Sequence, residues 1–191
     1  MADRDLVIRP TATLPEVLEV EPKLREDPRG FFLESYNERD FAAQGLAQRF
    51  VQDNHSRSVR GTLRGLHAQL EYPQGKLVRV VEGEIWDVAV DVRPASPTYK
   101  KWVGVVLSAE NQRQLWVPPG FAHGFCVLSE WAQMLYKVTD FWHPGDEISI
   151  AWDDPDLAIA WPLQGKPLLS RKDEAAPSLA ELEPQLRGPA A

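Results

Sequence analysis

Cysteine is nearly absent from this chain of 191 residues. The single one, Cys126, stands in the apolar run Phe125-Cys126-Val127-Leu128. An intrachain disulfide is thereby excluded, and a buried thiol in a reducing compartment is expected. Basic charge is also scarce: 21 Lys and Arg face 28 Asp and Glu, for a formal net charge of -7. Broad electrostatic affinity for nucleic acid or an anionic membrane is disfavoured, although a local cluster of cations still suits a small anionic ligand. No window approaches about 18 uninterrupted apolar residues, which argues against a membrane-spanning helix. Asp3 and Asp5 precede any apolar stretch, unlike a secretion signal, so a cytoplasmic location is the expectation. Also missing are an internal repeat, a Gly-x-Ser-x-Gly elbow and a strand, glycine loop and helix unit around Gly30 or Gly75. The last two absences lower the hydrolase and nucleotide-fold readings.

What the chain does have is 43% hydrophobic residues, with 7 Trp, 7 Phe and 4 Tyr, enough to fill a core and line a pocket. Its length suits one domain over residues 1–191. From Leu6 to Asp154 short apolar segments alternate with Gly, Pro, Asn and Asp, and few stretches would sustain a long amphipathic helix. Early strands are expected at Val17–Val20, Gly30–Tyr36 and Phe50–Gln52, with one short helix after Asn37, whose side chain suits a cap. Gly61 and Gly65 bracket a tight segment before His67.

The middle of the chain is clearer. Gly75–Val81 leads through a turn at Gly83 into Ile85–Asp91, where Trp86, Val88 and Val90 alternate with Asp87, Ala89 and Asp91. Further strands are expected at Lys101–Leu107, Gln114–Val117, Phe125–Leu128, Ala132–Val138 and Ile148–Trp152. A set of about ten evenly spaced strands predicts an all-β antiparallel sandwich or jelly-roll barrel with an internal pocket. Trp86 and Trp102 are expected in its core. After about residue 153 turn-rich sequence predominates, and residues 171–191 suggest a short peripheral helix and a frayed end.

Two histidines have informative surroundings. Pro118-x-Gly120-x-x-His123 resembles the second motif of the cupin superfamily, whose metal-binding members add a His-x-His pair and a glutamate. Here Ala68-Gln69 follows His67, so the second histidine is missing and Glu71 is not correctly spaced. Two isolated histidines make a poor metal site, and no metal is expected. His67 then reads either as a buried hydrogen-bonding residue or as a general base working near neutral pH. Arg64, Lys76, Gln52, Asp53 and Asn54 each suit a solvated surface, or together an anionic, oxygen-rich pocket. Trp142, beside Phe141 at a strand end, is placed to stack on a planar ring or a sugar.

Seven ordered segments carry a closer resemblance: Asp27–Tyr36, Val51–Ser56, Leu63–His67, Gln74–Val78, Phe121–Phe125, Leu135–Lys137 and Leu169–Asp173. Together, over about residues 6–177, they resemble the signatures of dTDP-4-dehydrorhamnose 3,5-epimerases. The resemblance implies a cupin-type jelly roll, a cofactor-free homodimer, and conversion of dTDP-4-dehydro-6-deoxy-D-glucose to dTDP-4-dehydro-β-L-rhamnose. It assigns His67 as base, Asp173 as its partner, Lys76 beside the keto oxygen and Tyr136 as the acid on the opposite face. Gln52, Asn54, Arg64 and His123 match substrate-pocket positions, and Lys172, with Trp142, is expected beside them. Arg29, Phe32 and Glu34, in an N-terminal segment of about residues 1–36, match positions that reach the nucleotide bound by the partner subunit. Phe141-Trp142 departs from the tyrosines that many relatives carry there. The alternatives are a single-position epimerase of another dTDP-4-ketodeoxysugar, a noncatalytic nucleotide-sugar-binding cupin and, third, a metal-dependent cupin enzyme.

Overall fold

Two antiparallel sheets face one another across a shared core in the computed structural model, which describes residues 4–187. The six-stranded sheet runs in the order β1 (Val7–Pro10), β2 (Leu18–Glu21), β10 (Gln114–Val117), β7 (Lys76–Glu82), β12 (Trp131–Val138) and β5 (Gln52–Val59). The five-stranded sheet runs β13 (Glu147–Ser149), β6 (Leu63–Gln69), β11 (Phe121–Val127), β8 (Glu84–Asp91) and β9 (Trp102–Ser108). A separate hairpin pairs β3 (Lys23–Asp27) with β4 (Gly30–Glu34), and the described residues also form three short helices: α1 (Glu38–Ala43), α2 (Arg171–Glu174) and α3 (Leu179–Leu186). This is the all-β sandwich that the strand spacing predicts, in keeping with a cupin-type jelly roll.

Period-two alternation decides what each strand shows to which layer. On β8, Ile85 and Ala89 join the cluster between the sheets, while Trp86, Val88 and Val90 pack outward under residues 157–186. Both faces are therefore covered, and Asp87 and Asp91 are buried as well. Trp86 and Trp102 meet edge to face at 5.8 Å within the outer cluster. On the far side, α1 lays Phe41 over Val20, Leu77 and Trp116. Its N-cap is Asn37, whose Oδ1 accepts from the Arg39 and Asp40 amides at 3.1 and 3.4 Å. Cys126 is buried as a free thiol, and burial pushes its pKa up to about 11.

Several sequence boundaries move. The third early strand does not end at Gln52 but begins there, because its inward residues Gln52, Asn54 and Ser56 line a cavity instead of an apolar core. The segment between Gly61 and His67 is mostly strand β6, and Val7–Pro10 and Lys23–Asp27 are strands that the apolar pattern does not reveal. The strand from Gly30 stops at Glu34, and the one expected at Ile148–Trp152 is Glu147–Ser149. The C-terminal segment forms two helices, not one. The frayed end expected there falls partly on residues 188–191, outside the described residues.

Candidate active site

Along the inner faces the apolar lining gives way to polar side chains. On β12, Ala132 and Met134 belong to the core and Tyr136 follows; on β7, Val80 and Val78 belong to it and Lys76 follows. Both strands thus deliver a functional group to a cavity of about 390 Å³ between the sheets. His67 and Arg64 enter it from the opposite sheet, and their spacing of three would normally place them on opposite faces of a strand. A register irregularity resolves this. β11 matches His123 to His67 but Phe125 to Arg64, so β6 carries one extra residue between them. Gly65 sits in that bulge at φ +110, where a Cβ would lie 2.6 Å from the His123 carbonyl oxygen, so no larger residue fits without moving backbone.

His67 Nε2 lies 2.6 Å from Asp173 Oδ1. Asp173 is aimed by the cap of α2: Ser170 Oγ accepts from the Asp173 amide at 3.1 Å and donates to Asp173 Oδ2 at 2.8 Å. Burial opposes ionisation of Asp173, but hydrogen bonds from His67 and Ser170, with the charges of His67 and Lys172, outweigh it and hold the carboxyl below its ordinary value. An ionised carboxylate accepts only, so Nε2 carries the hydrogen, and whenever the ring is neutral the lone pair is on Nδ1. Nδ1 lies 3.9 Å from Glu147 Oε1.

Lys76 is buried, and its Nζ donates to the His67 carbonyl oxygen at 3.4 Å. Burial lowers its pKa to about 8 against the opposing attraction of Glu147 and Asp87. Tyr136 is half-buried, and burial, then the Glu147 carboxylate, raise its phenol above the ordinary value against the opposing Arg64. His123 is the cross-strand neighbour of His67 and makes its own carboxylate pair, Nε2 to Asp87 Oδ1 at 2.8 Å, with both residues buried.

The structure therefore brings His67, Lys76 and Tyr136 to one cavity, with Gln52, Asn54, Arg64, His123 and Trp142 also lining it. Arg64 is anchored through Nε on Ser58 Oγ at 3.0 Å, and Gln52 Nε2 donates to Asn54 Oδ1 at 2.9 Å. Asp173 supports the cavity from behind His67, and Lys172 pairs with the Glu147 carboxylate that lines it. Arg29, Phe32 and Glu34 are not among the cavity's lining residues; they belong to the β3–β4 hairpin, where Phe32 is 70% exposed. Sequence reasoning missed Glu147, which follows Asp146 at the start of β13, and the role of Asp87, whose alternation with Trp86 and Val88 gives no sign of a buried partner. Among the described residues no group of three or more His, Cys, Asp or Glu is placed to hold a metal ion.

The family model for dTDP-4-dehydrorhamnose 3,5-epimerase matches residues 11–181. The dTDP-4-dehydrorhamnose 3,5-epimerase of Pseudomonas aeruginosa is 58% identical over 171 residues, which cover 89% of this chain and 94% of the relative. Among solved structures, the dTDP-6-deoxy-D-glucose-3,5-epimerase of Legionella pneumophila in complex with dTDP-4-keto-L-rhamnose superimposes with a TM-score of 0.91 at 51% identity, covering 95% of this chain and 97% of that one. A 3'-monoepimerase from Streptomyces bikiniensis in complex with dTDP-quinovose gives a TM-score of 0.84 at 36% identity, covering 92% and 89%.

Proposed function

The chain belongs to the dTDP-4-dehydrorhamnose 3,5-epimerase family, and from that premise we propose how its cavity divides the work. It epimerises C3 and C5 of dTDP-4-dehydro-6-deoxy-glucose to give dTDP-4-dehydro-L-rhamnose. In our reading His67 Nδ1 removes the proton from the carbon next to the ketone, and the electron pair moves onto the C4 oxygen. Lys76 Nζ stabilises that enolate, as an oxyanion hole does. Tyr136 then returns a proton to the same carbon from the other face, so the centre inverts. Solvent takes the His67 proton and restores the Tyr136 proton before the second centre reacts. No cofactor is required in this scheme, because the ketone itself holds the electron pair.

The observation that carries the reading is the position of base and acid. His67, tied to Asp173 at 2.6 Å, stands on the five-stranded sheet, whereas Tyr136 and Lys76 stand on the six-stranded sheet across the same cavity. Base and acid on one side would only restore the starting configuration. Arg64 and Lys172 supply cations for the diphosphate, Gln52, Asn54 and His123 offer hydrogen bonds to the sugar, and Trp142 offers a face to the base. The test is turnover in deuterated water, followed by NMR. Deuterium should appear at both C3 and C5 with inversion. Label at one carbon only would make the chain a single-position epimerase, and label at neither would make it a binding protein.

A homodimer completes the site in this reading. The β3–β4 hairpin holds Phe31 and Phe32 at 59% and 70% exposure, and the Arg29 guanidinium pairs with its neighbour Asp27 at 2.6 Å. Two such exposed rings beside a cation suit an anionic, planar nucleotide in the partner's cavity, and Glu34 lies at the hairpin's base. Diluting the enzyme until sedimentation shows monomers should reduce kcat/KM at least tenfold; full activity as a monomer would refute this role for the hairpin. The buried free thiol of Cys126 supports the cytoplasm as its compartment, and no helix among the described residues is long and apolar enough to cross a membrane.

A further inference from the structure

Two loops form the mouth of the cavity beside Trp142, and one buried side chain holds both. The first joins β6 to β7 across residues 70–75, and the second joins β12 to β13 across residues 139–146. Gln69, 5% exposed, follows His67 by two residues on β6, where the metal-binding cupin pattern has its second histidine. Its Nε2 donates to the Tyr72 carbonyl at 2.7 Å and to the Phe141 carbonyl at 3.2 Å, and its Oε1 accepts from the His143 amide at 2.9 Å. The carboxamide therefore grips the residue on each side of Trp142 and the facing loop at once.

The rest of the mouth follows the same design. Asp146 accepts from the amides of Leu70, Glu71 and Tyr72 at 3.2, 2.9 and 2.9 Å, and the Tyr72 and His143 rings stack at 4.1 Å. Trp142 itself is 56% exposed, and its amide donates to Gln52 Oε1 at 3.3 Å. Its indole is thus oriented through the backbone on either side of it. We propose that Gln69 is a positioning residue that fixes Trp142 for the planar base of a nucleotide; this rests on the Trp142 role given above. A carboxamide is well suited here, since it donates two hydrogens and accepts one without charge, whereas a carboxylate would meet two carbonyl oxygens.

The test is a double-mutant cycle read by calorimetric titration with dTDP. Gln69→Glu keeps the acceptor for His143 but repels the two carbonyls, and Gln69→Met keeps the volume without the hydrogen bonds. Each should weaken dTDP about tenfold, the loss of roughly 1.4 kcal/mol of net hydrogen bonding. In a Trp142→Ala background the same changes should cost less than about twofold, because the residue they act through is gone. With substrate, KM should rise more than kcat falls. Equal losses in both backgrounds, or no loss from either variant, would overturn the proposal. If Trp142→Ala alone left dTDP affinity intact, the stacking role and this proposal would both fail. Deuterium entry at C3 and C5 would still judge the epimerase reading separately. Melting temperatures verify that the variants compared are folded; should Gln69→Met not fold, Gln69→Glu carries the cycle.

Discussion

Replacing His67 by Ala is expected to stop deuterium entry at both C3 and C5 and to lower kcat by at least about a thousandfold. A positioned general base contributes roughly two to four orders of magnitude, and among the described residues no neighbour is placed to replace this one. His123 lies across the strand pair, but its Nε2 is committed to Asp87 at 2.8 Å, and it is buried. Glu147, 3.9 Å from His67 Nδ1, is engaged by Lys172. Tyr136→Phe should behave differently. The base and the enolate cation stay in place, so His67 continues to remove a proton and return one from the same face. Exchange with solvent should therefore persist within about tenfold, while inversion falls by about two orders of magnitude or more. NMR in deuterated water separates the two, since it follows label and configuration on the same carbon. Near-normal inversion by either variant would remove that residue from the scheme. If Tyr136→Phe lost exchange along with inversion, its phenol would be needed for abstraction and not for delivery from the opposite face.

These assignments depend on residues that the sequence exposes unevenly. The central strands are legible because Ile85–Asp91 alternates on a period of two, and α1 because Asn37 precedes a helical spacing. Strand β5 is not legible as a strand. Its sequence Gln-Asp-Asn-His-Ser-Arg-Ser-Val has polar residues on both faces, since one face lines the cavity and the other is exposed. The same physics hides the barrel interior elsewhere: Asp87 resembles a solvent-facing residue but is fully buried against His123. Convergence of His67 with Asp173, 106 residues later, depends on where α2 docks and has no local signal. Resemblance to a family pairs those two; spacing does not. The extra residue in β6 is equally silent. Gly61 and Gly65 suggest a tight segment, and only the pairing with β11 shows that the irregularity turns Arg64 and His67 into the same cavity.

The other large effect is expected at Lys76. Lys76→Met keeps most of the volume but removes the cation, and loss of an oxyanion-stabilising donor costs about two to three orders of magnitude in kcat. The pH profile gives an independent reading of the same group. Burial lowers the Lys76 pKa to about 8 from an ordinary lysine value of 10.5, so the free enzyme loses this charge as pH rises through about 8. Because kcat/KM reports the free enzyme, it should fall about tenfold per pH unit above that point. The phenol of Tyr136 cannot produce this limb, since burial and Glu147 raise it above its ordinary value and it stays protonated across the window. Nor does unfolding through Lys76 account for it. Between about 8 and 10.5 the unfolded chain holds a proton on Lys76 that the folded chain has lost, so this group's contribution to stability rises with pH. Activity and the Lys76 contribution to stability thus move in opposite directions. Measuring kcat/KM together with melting temperature from pH 7 to 9.5 distinguishes inactivation from unfolding. A flat kcat/KM across that range would mean that Lys76 keeps its charge there, and an unchanged rate in Lys76→Met would deny it the enolate altogether.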